Sequence, residues 1–158
     1  MASAGRIERA WIGVQEWGLA RLDGLAALRG RGRGAAHLET GLKGERAALF
    51  ELRRRGYVVV AQRWTSARMR GDVDLVAWDG ERLCFVEVKT RTARDMTPAE
   101  SAVDEDKRRL LRGLARVYLR SFSEQERRTI AVRFDVVSVY AVGGRTDFAV
   151  FQDAFGWR

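Results

Sequence analysis

Two apolar, strand-like segments separated by a short turn constrain this chain more than anything else in it. The first is Gly71-Asp72-Val73-Asp74-Leu75-Val76-Ala77-Trp78 and the second is Leu83-Cys84-Phe85-Val86-Glu87-Val88-Lys89. Only Asp79-Gly80-Glu81-Arg82 lies between them. Such a pattern predicts a buried β-hairpin. Yet acids and a lysine stand at its open end, where unpaired charges cost on the order of several kcal/mol each unless metal or counter-charge compensates. A conflict of this kind between local pattern and local chemistry marks a functional site.

Side chains alternate faces along a strand. Asp72, Asp74, Val76 and Trp78 therefore share one face, and so do Leu83, Phe85, Glu87 and Lys89. With Asp79-Gly80 as a two-residue turn, Asp72 lies opposite Glu87 and Asp74 is its diagonal neighbour. With all four residues in the loop, Asp74 lies directly opposite Glu87. Either register gathers the carboxylates and Lys89 on one face, whereas a one-residue slip separates them. Carboxylates so placed repel unless a cation joins them. Mg²⁺ suits oxygen ligands that leave room for waters and a substrate phosphate. Lys89 could orient an attacking water or stabilise charge growing on a phosphate. This is the equipment for metal-assisted phosphodiester hydrolysis. The bland alternative is a surface hairpin with cross-strand ion pairs, against which Leu75, Val76, Phe85, Val86 and Val88 argue.

The spacing of Asp74 from Glu87-Val88-Lys89 resembles the PD-(D/E)xK nuclease motif, which alone is loose. The wider context is more specific: Gly44-Glu45-Arg46-Ala47-Ala48, then the two hairpin segments, then Arg133-Phe134-Asp135-Val136-Val137 and the closing Asp153-Ala154-Phe155. In that order they resemble the YraN family of bacterial proteins (UPF0102), over residues 39 to 156. Where the family has Gly-Glu-Ile-Asp, this chain has Gly71-Asp72-Val73-Asp74, which keeps a carboxylate at Asp72. The resemblance implies an α/β, restriction-endonuclease-like fold with a mixed central β-sheet flanked by helices. It also implies kinship with archaeal Holliday-junction resolvases. By that analogy the chain is an endonuclease dependent on Mg²⁺ (or Mn²⁺), acting on DNA, branched DNA included, and leaving 5′-phosphate and 3′-hydroxyl ends. Asp74 and Glu87 bind metal, Glu45 and Asp72 complete or support the shell, and Lys89 positions or activates water. A homodimer would suit a two-fold junction.

The net charge of +8 fits a polyanionic partner without saying which. That leaves a second reading, a non-catalytic nucleic-acid-binding module on a nuclease scaffold, and a third, a partner-binding subunit that docks through its N-terminal arm. A single cysteine, Cys84, fits a reducing cytoplasm. One His and one Cys cannot build a zinc site. No apolar run of about 18 residues occurs, so no membrane partner is expected, and the N-terminus does not read as a signal peptide.

Residues 1–38 read as a flexible basic extension ending in the Arg29-Gly30-Arg31-Gly32-Arg33-Gly34 run, with the endonuclease-like domain over 39–158. A helix is predicted from Thr40 to Arg55, closed by Gly56, with Glu45 on the same stripe as Ala48, Leu49 and Leu52. A strand follows over Tyr57–Trp64. Arg63, Arg68 and Arg70 flank the acids, either clamping phosphates or solvated. Thr90 and Arg91 lead into a segment beside the site. Thr97-Pro98-Ala99-Glu100 reads as a capping box opening a helix that runs to Arg120. Its inner stripe is Val103, Leu110, Leu114 and Val117. Lys107 lies on that stripe, reaching substrate phosphate or snorkelling. Arg108, Arg112, Arg116 and Arg120 form a basic row, either DNA-facing or solvated. Candidate substrate contacts are therefore Lys107, Arg70, Arg91, Arg108 and Arg112. A polar connection over Ser121–Arg128 leads to a strand over Thr129–Val142 and a last strand over Asp147–Phe151.

Overall fold

A computed structural model describes residues 33–91 and 103–158. Helix α1 (Arg33–Arg54) is followed by strands β1 (Val58–Ser66), β2 (Met69–Asp79) and β3 (Arg82–Arg91). After them come helices α2 (Glu105–Leu119) and α3 (Glu124–Thr129), then strands β4 (Ala131–Val142) and β5 (Arg145–Phe151). The strands form one sheet in the order β1-β2-β3-β4-β5. Every neighbouring pair is antiparallel except β3 and β4, which run parallel. A parallel pair needs a long crossover, which α2 and α3 provide. The result is the α/β, restriction-endonuclease-like arrangement that the family resemblance implies.

Each face of the sheet carries its own core. Ala48, Leu49 and Leu52 of α1 pack on Leu75, Ala77, Cys84, Val86, Val137 and Val139. Leu111, Leu114, Ala115 and Tyr118 of α2 pack on Val73, Val76, Leu83, Phe85, Phe134 and Val136 of the other face. Cys84 is fully buried among the first set, as its place on the strand requires. The hairpin pairs Trp78 with Leu83 and Asp79 with Arg82, which leaves Gly80-Glu81 as the turn. Gly80 supplies a positive φ of 59°. This register is the one that sets Asp74 at the position of Glu87.

Several features of the helices differ from expectation. Helix α1 begins at Arg33, seven residues before Thr40, and takes in the end of the Arg-Gly run; residues 1–32 of the expected extension lie outside the described residues. Helix α2 begins after Asp104, not at Thr97. The Asp104 backbone is extended (φ −66°, ψ 166°) and its carboxylate accepts the Lys107 amide, an N-cap that forbids a continuous helix through this point. The Thr97-Pro98-Ala99-Glu100 segment lies outside the described residues. The buried stripe of α2 is Leu111, Leu114, Ala115 and Tyr118, turned from the expected stripe but still running back to Lys107. Within the expected polar connection, Ser123 and Glu126 form a reciprocal capping box that opens α3.

Candidate active site

Strands β2 and β3 pair as far as Leu75 and Val86, and then part. At the parting, the Val88 amide donates to Asp74 Oδ2 at 2.6 Å, so a side chain takes over where the ladder stops. Across from Asp74 on β1, Arg63 falls between the paired residues Gln62 and Trp64 with a left-handed φ of 45°. Such a conformation is strained for arginine and tends to sit at functional sites.

Glu87 projects to the α2 side of β3 and is 3% exposed. Its two oxygens face two ammonium groups. Lys89 Nζ lies 2.9 Å from Oε1 and Lys107 Nζ, reaching across from α2, lies 3.0 Å from Oε2. Oε2 is fully buried, and the Lys107 ammonium is its charge partner. Glu45 of α1 and Asp72 of β2 share Arg63, whose Nε lies 3.7 Å from Glu45 Oε2 and 3.8 Å from Asp72 Oδ2.

The charges act on one another. Burial and then the Glu87 charge push the Asp74 carboxyl up to about 7, against the Val88 amide and Lys107, which favour its ionised form. Burial likewise raises Glu45, opposed by Arg63 and helped by Asp72 and Glu87. Burial works against the charge of Lys107, but Glu87, Asp74 and Asp72 outweigh it and hold its pKa above the ordinary lysine value.

Two glycines let the helices approach this site. A Cβ at Gly44 would lie 1.8 Å from Thr90 Oγ1, so α1 rests on β3 between Glu45 and Lys89 with no room for a side chain. Gly71 has a φ of 97°, and a Cβ there would lie 2.7 Å from Leu110 Cδ2 of α2.

The structure thus brings together Glu45, Asp72, Asp74, Glu87, Lys89 and Lys107, all expected from the sequence. It places the other candidates differently. Arg70 lines an open cleft at the β1–β2 turn with Arg68 and Gly71. Arg91 ends β3, half-buried. Arg108 and Arg112, candidate substrate contacts in a row read as either DNA-facing or solvated, instead hold the C-terminal tail. Arg112 is 7% exposed; it donates to the Gly156 and Arg158 carbonyls and to Glu105. Arg108 donates to the Val103 carbonyl and stacks over Phe155, 5.6 Å from its ring centre. Sequence reasoning missed Arg63 as the bridge between Glu45 and Asp72. Its one signal was a charged residue late in a strand, facing the acids.

The donor set suits a hard divalent cation. It is all oxygen, Glu87 Oε2 is buried with only a side-chain ammonium as its charge partner, and the mutual effect of Asp74 and Glu87 is one a cation relieves. Among the described residues, however, no three His, Cys, Asp or Glu side chains converge as a metal cage. The fit is to a two-carboxylate site, Asp74 and Glu87, with Glu45 and Asp72 drawn toward Arg63. Mg²⁺ commonly binds through one or two carboxylates, with waters and substrate phosphate as the rest.

Residues 44–139 match the family described as "Uncharacterised protein family UPF0102". A UPF0102 protein of Koribacter versatilis is 43% identical over 119 residues, 75% of this chain and 80% of that protein. One of Solibacter usitatus is 50% identical over 96 residues, 61% of this chain and 70% of that protein. One of Rhodococcus opacus is 42% identical over 123 residues, 77% of this chain and 99% of that protein.

Proposed function

The chain belongs to the UPF0102 family, and on that premise we propose that it is a Mg²⁺- or Mn²⁺-dependent endonuclease hydrolysing DNA phosphodiester bonds, branched DNA included, in the cytoplasm. The observation that carries this reading is that Asp74, which accepts the Val88 amide and feels the Glu87 charge, lies with Glu87 and Lys89 at the point where β2 and β3 part. Asp74 and Glu87 would hold the ion; when bound, it supplies charge stabilisation at the phosphoryl group and a more acidic water. Lys89, held to Glu87 and 34% exposed, positions water and donates to the phosphate. Glu45 and Asp72, through Arg63, fix how far α1 and β1 stand from the acids. No helix among the described residues is long and apolar enough to cross a membrane.

One observation favours a second reading, a non-catalytic nucleic-acid-binding module. Both Glu87 oxygens already face ammonium groups, and among the described residues no three acids converge on a common point. The two readings part on a panel of labelled duplex, single-stranded, flap and four-way-junction DNAs with Mg²⁺ or Mn²⁺. Wild type should cut at least one of them, and Glu87→Ala should lose the activity by a factor of about 10³ or more. Salt-sensitive binding without cleavage by wild type would select the binding module.

A further inference from the structure

We infer that Lys107 is an exchangeable counter-ion, its ammonium occupying the Glu87 oxygen that a divalent cation needs, so that Lys107 and the metal compete for one place. The inference rests on the two-carboxylate metal site proposed above and adds to it how that site is filled and emptied.

The two lysines on Glu87 are not equivalent. Lys89 lies two residues from Glu87 on the same strand and grips Oε1 at 2.9 Å. Lys107 arrives from a different element and meets Oε2, the buried oxygen, at 3.0 Å. Lys89 is carried by the strand that carries Glu87, whereas the Lys107 contact spans from α2 to β3 through the lysine side chain alone. The backbone of Lys107 is pinned, because its amide donates to Asp104 Oδ1 at 2.8 Å. Exchange therefore needs only rotation of the lysine side chain, with no movement of α2. The side chain is 24% exposed, so its four-carbon stem has a path to solvent. Arg112, further along α2, shows the contrast: it is tied to Glu105 and to two tail carbonyls and has no such freedom.

Without metal, Lys107 neutralises part of a buried acidic cluster that would otherwise repel itself. With metal, the same ammonium is displaced toward solvent, where a substrate phosphate would receive it. DNA and metal would then favour the same side-chain position, and each would assist the other's binding.

The test is calorimetric titration of Mg²⁺ alone into the full chain, wild type against Lys107→Met, which keeps the stem and removes the charge. The expected result is at least tenfold tighter Mg²⁺ binding by Lys107→Met, with Lys107→Arg near wild type. Metal-free Lys107→Met should also melt below wild type, and saturating Mg²⁺ should raise its melting temperature by more. Equal or weaker Mg²⁺ binding by folded Lys107→Met would overturn the exchange. If that variant fails to fold, Lys107→Gln is read in its place, and the Lys107 ammonium signal of wild type is followed by nitrogen NMR during the Mg²⁺ titration. A signal that stays fixed as Glu87 responds counts against the exchange. Mg²⁺ binding by neither protein removes the metal site and the inference with it. Tighter binding by the variant, with no DNA cut by wild type, keeps the exchange and removes the nuclease reading.

Discussion

At the scale of single residues, Asp74 sets the behaviour of the site. Its folded-state carboxyl titrates at about 7 because burial and then Glu87 disfavour the charge, while the unfolded value lies near 3.8. The folded pKa is the higher one. The stability that the proton on Asp74 contributes is therefore fully present below about pH 3.8 and lost as the pH rises through about 7. Asp74→Asn removes this dependence and keeps an oxygen for the Val88 amide. In EDTA, the variant should gain melting temperature over wild type steadily between about pH 4 and about pH 7, then level off. A difference that stays constant over that range would mean Asp74 is ionised throughout. The residues of this cluster were legible in the sequence, because charges on apolar strand and helix stripes contradict their surroundings. The left-handed backbone of Arg63 was not, since no residue type encodes it. Nor was the capture of Arg112, whose carbonyl partners Gly156 and Arg158 lie 44 and 46 residues away in the chain.

At the scale of elements, close approach of helix to sheet places the acids, and glycine permits it. Helix α1 contains two glycines that separate this effect from ordinary helix propensity. A Cβ added at Gly41 would meet nothing within 4 Å, whereas at Gly44 that atom would lie 1.8 Å from Thr90 Oγ1. Thr90 is short and β-branched and cannot swing clear. Gly41→Ala should stabilise the protein by up to about 1 kcal/mol through helix propensity alone. Gly44→Ala should instead cost about 1–3 kcal/mol through overpacking, and Thr90→Ala in the same chain should restore part of the loss. Urea unfolding of these variants beside wild type checks both signs; equal effects at the two glycines would refute the close approach. Element types and order could be read from periodicity, caps and turns. The start of α2 could not, because Thr97-Pro98-Ala99-Glu100 and Asp104 offer competing N-terminal signals, and it is Asp104 that caps this helix through the Lys107 amide. The short helix α3 carried a legible Ser-x-x-Glu signature that its polar composition obscured.

At the scale of the whole molecule, the net charge of +8 must be divided between arginines that build the fold and arginines that can meet a polyanion. Residue spacing alone assigns the α2 row to the second group, yet the fold puts much of it in the first. Phe155 stacks on Phe134 at 4.9 Å between ring centres, with Arg108 and Arg112 each 5.6 Å from its ring. Arg116 lies over Trp157 at 5.4 Å. These contacts fasten the C-terminal tail across α2 and β4. Arg68 and Arg70, by contrast, are exposed at the cleft beside Gly71 and Asp72. Each phosphate contact on duplex DNA contributes about 0.9 to the slope of log K against log salt. Arg112→Met should therefore lower thermal stability and leave that slope unchanged. Arg68→Ala and Arg70→Ala should leave stability within about 0.5 kcal/mol while each reduces the slope by about 0.9. Binding isotherms on duplex DNA at several salt concentrations, beside thermal melts of the same proteins, give both quantities. A reduced slope for folded Arg112→Met would return the α2 row to the DNA surface. Unchanged slopes for Arg68→Ala and Arg70→Ala would move the polyanion contact away from the β1–β2 turn.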